Sequence, residues 1–259
     1  MIKKNCENIL IAIVFIILYL PVLVLMIFSF NSSSYSMQWQ GATLKWYKVL
    51  LDDPSIWRAC INSIYLGLSS SVVAVFLGLL GALTLQKYIF PGRKLLSLSI
   101  VTIIVIPDII FACGLLILFY ITKVKLGFFS LLLAHISLSF PFACILISSE
   151  LQRLNNNIFE AAWDLGASQY RILIKIILPL LQPALLSCFL LCFTLSFDDL
   201  IISYFISGPE FEILPIHIFS QIKIGVTPEV NALSSLIFLL SIMTVLLSYK
   251  LIRKKNEQD

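Results

Sequence analysis

An all-α integral membrane protein with six transmembrane helices is the architecture expected of this chain, on three observations. Hydrophobic residues make up 59% of its 259 positions and charged residues only 12%, where a soluble domain carries about a quarter charged. Mean hydropathy is +0.99. The apolar residues also gather into six runs, each near the roughly 20 residues that a helical span requires. The runs cover residues 9–30, 61–85, 97–120, 128–147, 180–206 and 232–251. They are read as one membrane domain over 1–259, with a polar tail from Arg253.

Orientation follows from the bases. With the N-terminus inside, Lys3, Lys4, Lys87, Arg93, Lys94, Arg153, Arg171, Lys175, Lys250, Arg253, Lys254 and Lys255 are cytoplasmic. Lys45, Lys48, Arg58, Lys123, Lys125 and Lys223 are outside. Positive charge favours the cytoplasmic side, so both termini are expected there. The net charge of +4 reflects this topology and implies no nucleic-acid partner. The first run follows two lysines but is long and lacks a small-x-small cleavage site, so it is expected to stay as an anchor. Six cysteines without a CxxC pair read as small apolar packing residues.

Taken in order, the segment from Asn31 to Cys60 is rich in tryptophan and tyrosine, which favour the headgroup level. Ser70, Ala74, Gly78 and Ala82 recur every four residues on the second run, a small-residue face for close helix packing either within the chain or across a subunit boundary. Pro107-Asp108 falls near the middle of the third run. The proline is expected to kink that helix, and the carboxylate sits where burial in lipid costs about 2.5 to 3.5 kcal/mol. His135, beside Ser137 and Ser139 in the fourth run, reads as a satisfied packing residue in preference to a proton relay. In the fifth run Ser196 and Asp199 form one polar stripe and Thr194 and Asp198 another, since adjacent residues point about 100° apart. Which stripe faces a transport path stays open. Apart from Lys250 at the cytoplasmic end of the last run, no lysine or arginine lies within the spans to pair with Asp108, Asp198 and Asp199, so their excess negative charge calls for a cation.

Between the fourth and fifth runs, residues 155–179 read as two short cytoplasmic helices. Asn157 is expected to cap the first, with Glu160 three residues later completing a capping box. Ile158, Ala161, Ala162 and Leu165 share a face, and Gly166 supplies a left-handed stop. Ser168 is expected to cap the second helix, and Pro179 to mark a break before the next run.

Glu160, Ala161, Ala162, Gly166, Ile176, Leu178 and Pro179 at these spacings resemble the EAA loop of permease subunits in ATP-driven (ABC) importers. The resemblance implies that this helix pair enters a groove on a cytoplasmic ATPase. It continues through Trp39-Gln40-Gly41, Lys45-Trp46-Tyr47, Pro107-Asp108, Ser196-Phe197-Asp198-Asp199 and Gly208-Pro209 to Pro228-Glu229-Val230-Asn231-Ala232, where the chain is similar to the second permease of spermidine/putrescine systems. A substrate path of Trp46, Asp108, Ser196, Asp198 and Asp199 is then implied, with the Trp46 ring attracting an ammonium at the entrance. Implied partners are a paralogous permease, an ATPase dimer, an external polyamine-binding protein, the polyamine and membrane lipid, in a bacterial-type inner membrane. The chain has no GxxxxGK[ST] phosphate loop, so ATP and magnesium belong to the ATPase, and neither enzymatic activity nor a cofactor is expected here. Two rivals are an ABC permease for another solute and a proton-coupled secondary transporter. Against the latter, neither an inverted repeat nor a pair of broken spans is visible.

Overall fold

The computed structural model describes residues 2–33, 38–225, 227–239 and 242–243. Their regular secondary structure is helical, apart from one isolated bridge between Asn31 and Ala42. Among the described residues three helices are long and apolar enough to cross a membrane, Pro54–Lys87, Phe128–Arg153 and Gln169–Phe197, and a bent pair, Arg93–Val105 with Asp108–Thr122, adds a fourth. Ile13–Phe28 and Pro228–Leu239 are shorter apolar helices. Half of the expected sixth run, residues 240–241 and 244–251, lies outside the described residues.

The chain divides into two compact units, Met1–Trp57 with His217–Asp259, and Arg58–Ile216. In the first, helix α1 (Ile2–Phe28) leads to a loop and then to α2 (Lys45–Asp52). Asn31 organises that loop. Its side chain accepts from the amides of Gln40 at 2.9 Å and Ser33 at 3.3 Å, and donates to the Gln38 carbonyl at 2.7 Å. One buried amide thereby satisfies several backbone groups that would otherwise lack partners.

The second unit is built on α6 (Phe128–Arg153), which contributes residues to both apolar clusters. One cluster joins it to α3 (Pro54–Lys87), α4 (Arg93–Val105) and α9 (Leu178–Phe197) through Ala74, Ile100, Ile147 and Cys188. The other joins it to α5 (Asp108–Thr122) and α10 (Ile201–Ile206) through Ala112, Leu131 and Ile202. The small-residue ladder on α3 packs inside the chain. A Cβ on Gly78 would lie 2.5 Å from Ala143 Cβ on α6, so glycine is what lets these backbones approach.

Two runs expected to be continuous are broken. Instead of a kink, Ile106 and Pro107 are both extended, and α4 and α5 meet at 118°. The proline disfavours helical geometry at the residue before it as well as removing its own amide hydrogen. Asp108 is consequently the first residue of a helix rather than the middle of one. The fifth run stops at Phe197 and resumes at Ile201. Among the described residues one span is thus a bent pair, a break that the sequence reading, which saw no pair of broken spans, did not foresee.

Candidate functional site

A buried polar layer lies among α3, α6, α9 and α10. His135 on α6 is fully buried. Its Nδ1 is 2.6 Å from Ser196 Oγ on α9, and its Nε2 is 3.0 Å from Ser203 Oγ on α10 and 3.6 Å from Asp199 Oδ2. Ser203 Oγ donates to Asp199 Oδ2 at 2.8 Å, and Ser70 Oγ on α3 donates to Ser196 Oγ at 3.0 Å. These contacts assign the proton positions. A carboxylate only accepts, so Ser203 spends its proton on Asp199 and accepts from His135, which places the imidazole hydrogen on Nε2. Nδ1 then accepts from Ser196, which accepts from Ser70. Every member is satisfied with the imidazole neutral, as a buried network requires.

Asp199 also accepts from the amides of Ile202 at 3.3 Å and Ser203 at 2.8 Å, capping the start of α10. Its side chain is 7% exposed, and Ser196 is buried. The Ser196/Asp199 stripe thus faces inward, while Thr194 and Asp198 are exposed. Thr194 satisfies itself on the Leu190 carbonyl at 2.9 Å. Asp198 and Asp108 are exposed, and neither carboxylate has a hydrogen-bond or ionic partner among the described residues. Both lie at helix breaks, and α5, which Asp108 begins, packs against α10, which Asp199 caps. Of the expected path residues, Ser196 and Asp199 are brought together through His135, and Asp108 and Asp198 stay outside that network. The sequence reading grouped His135 with Ser137 and Ser139, yet Ser137 bonds the Leu133 carbonyl at 2.8 Å. The missed signal was the four-residue spacing of Asp199 and Ser203, which suits a carboxylate capping a short helix.

Trp46 belongs to the other unit. The residue is only 9% exposed, its Nε1 donates to the Asn31 carbonyl at 2.7 Å, and Lys45 Nζ sits 5.2 Å from the ring centroid. The indole pins the Asn31 loop onto α2, and a cation of the chain itself already occupies its face.

The predicted helix pair takes the form of α7 (Asn156–Asp164) and α8 (Gln169–Ile172). The cap is Asn155, which accepts from the Asn157 amide at 3.0 Å, rather than Asn157. The extended backbone of Asn155 suits an N-cap, whereas Asn157 is already helical. The Glu160 side chain lies outside the described residues. Gly166 has φ 76°, the left-handed stop expected of it, and Ser168 accepts from the Arg171 amide at 3.4 Å. The expected apolar face divides. Ala162 is buried, but Ala161 is exposed and Leu165, already past the helix end, is 88% exposed. Trp163 and Tyr170 are exposed with it. Their apolar area is the feature that the alanine pattern concealed. Pro179 marks no break. A π-helical stretch, Leu173–Ile177, carries α8 directly into α9, and widening to i→i+5 bonding just before the proline accommodates its missing amide hydrogen. Ile176 and Leu178 are half-buried along this passage and Pro179 is exposed.

The chain is 40% identical over 240 residues to the spermidine/putrescine transport system permease protein PotC of Escherichia coli strain K12, covering 93% of this chain and 91% of that one. It is 35% identical over 230 residues to the putrescine transport system permease protein PotI of the same strain, covering 86% and 82%. A crystal structure of a bacterial ABC transporter that imports alginate superposes with a TM-score of 0.73 at 19% identity, over 98% of this chain and 96% of that one, which establishes the shared fold. Residues 74–258 match the binding-protein-dependent transport system inner membrane component family, and this chain belongs to that family.

Proposed function

We propose that this chain is one of two permease subunits of an ATP-driven polyamine importer and forms half of the path for spermidine or putrescine. The observation that carries the reading is the similarity to polyamine permeases along more than nine-tenths of the chain. Six spans in a single membrane domain with both termini cytoplasmic, a paralogous permease, two ATPase copies and an external polyamine-binding protein complete it. The exposed Trp163, Leu165 and Tyr170 beside Gly166 offer the apolar contact area by which α7 and α8 dock on the ATPase, with Glu160, Ala161 and Ala162 in the same helix pair. Movement then passes along the uninterrupted Gln169–Phe197 helix, through Ile176, Leu178 and Pro179, to the break at Asp198.

Asp198 and Asp108 are the stations for successive ammonium groups, because they are exposed carboxylates without partners among the described residues. Ser196 and Asp199 act through His135 by holding the α9–α10 break, and Trp46 acts by fixing the shape of the outer loop. Weak, hydrated contacts suit a path that must release what it binds. The broken spans also occur in secondary transporters, but the family assignment favours the ATP-driven reading. The test is uptake of labelled spermidine into proteoliposomes containing the chain with its co-purifying subunits. Uptake that requires ATP and the external binding protein is expected. Uptake driven by a proton gradient without ATP overturns the proposal.

A further inference from the structure

A cavity of about 910 Å³ opens among the ends of α3, α4 and α6, within the second unit and away from the His135 layer. It lies at the end from which the coupling pair emerges, because Gln152 lines it and α6 passes into α7 only a few residues later. Its walls change character along the helices. On α4 they run from Arg93, Lys94 and Ser97 to Leu98 and Val101. On α6 they run the same way, from Gln152, Ser149 and Ser148 to Ile145 and Cys144. The cavity therefore has a cationic, hydroxyl-lined mouth and an apolar floor. At 1.5 Å per residue, Arg93 and Val101 are about 12 Å apart along the helix.

None of the lining residues is acidic, and neither Arg93 nor Lys94 is ion-paired among the described residues. Gly92, at φ 95°, precedes α4 and has no side chain to cap its first turn. The mouth thus combines two side-chain charges with the positive end of a helix. We infer that this cavity binds one anionic phospholipid, with its phosphate at Arg93 and Lys94 and an acyl chain against Leu98, Val101 and Ile145. Basic pockets between spans on the cytoplasmic side suit such headgroups. The inference rests on the cytoplasmic placement of the coupling pair proposed above.

The full chain, purified in mild detergent with its accompanying subunits, is equilibrated with equal amounts of phosphatidylglycerol and phosphatidylcholine of the same acyl chains and read by native mass spectrometry. Two charges at about fivefold each predict a preference of roughly 25-fold for phosphatidylglycerol. Arg93→Gln with Lys94→Gln removes the preference, while Val101→Trp lowers retention without removing charge. Equal retention of the two lipids, or an unchanged preference in the double variant, overturns the site. Displacement by an equal concentration of glycerol phosphate does so too, since a soluble anion is then the ligand. Loss of the lipid whenever the ATPase is bound overturns it as well, because protein then covers the cavity. The same spectra score the subunits. An ATPase present without lipid preference refutes the lipid site alone, whereas lipid preference without an ATPase refutes the importer reading alone.

Discussion

Replacing His135 with leucine removes hydrogen bonds of 2.6 Å to Ser196 and 3.0 Å to Ser203 while nearly conserving volume at a fully buried position. Each neutral bond contributes about 1 kcal/mol net, and a buried hydroxyl left without its acceptor costs about 1 to 3 kcal/mol. Ser203 keeps Asp199 as acceptor, so only Ser196 is orphaned, and it recovers part of the loss by turning back to a helix carbonyl. The sum is about 2 to 4 kcal/mol. At about 2 to 4 °C per kcal/mol for a chain of this size, the thermal midpoint in detergent falls by about 4 to 16 °C. Two further variants separate the contacts. Asparagine places an acceptor near the Nδ1 position and restores the Ser196 bond, whereas glutamine reaches the Nε2 position and restores the Ser203 bond. Each recovers about half of the midpoint, and ATP-driven spermidine uptake follows the same order because the α9–α10 break loosens in step. A leucine variant with an unchanged midpoint and normal uptake would falsify the bracing role. Failure of both amide variants to exceed leucine would refute the hydrogen-bond account.

Asp199→Ala removes the cap of α10 and costs about 0.5 to 2 kcal/mol, whereas Asp198→Ala leaves the thermal midpoint unchanged and lowers spermidine uptake at least tenfold. Equal midpoints for the two variants contradict the division of roles. Gly166→Val meets no atom within 4 Å of the new Cβ, so its cost is the left-handed backbone itself, about 1 to 2 kcal/mol, and pull-down of the ATPase fails while membrane insertion persists. Burial and the neighbouring Asp53 carboxylate raise the Glu229 pKa, with His217 pulling the other way. The folded chain thus holds that proton more tightly than the unfolded chain, a contribution complete below the ordinary glutamate pKa and lost as pH rises through the raised value. Glu229→Gln should remove that component, giving thermal midpoints that match wild type near pH 4 and exceed it at pH 7. An unchanged difference between the two pH values refutes it.

Composition and periodicity by themselves determined that this chain is a helical membrane protein, and the spacing from Glu160 to Pro179 determined where a pair of short helices falls. Those features are local. Gly166 needs only its own φ to stop a helix, and Ser168 needs only the amide of Arg171. The ladder from Ser70 to Ala82 likewise announced a packing face, although only the fold chose α6 and α9 as its partners, because a small residue specifies closeness without specifying the neighbour. The division of labour between the two adjacent aspartates was not legible. Asp198 and Asp199 are chemically identical in the sequence. They are separated by the break after Phe197, by Ser203 one turn on, and by His135, which lies more than sixty positions earlier in the chain. Pro107 gave a local warning of irregularity, but the 118° turn depends on where α5 docks against α10. Hydropathy records how much a segment avoids water. It does not record which donors and acceptors meet inside, and those pairings decide which carboxylate caps a helix and which stays exposed.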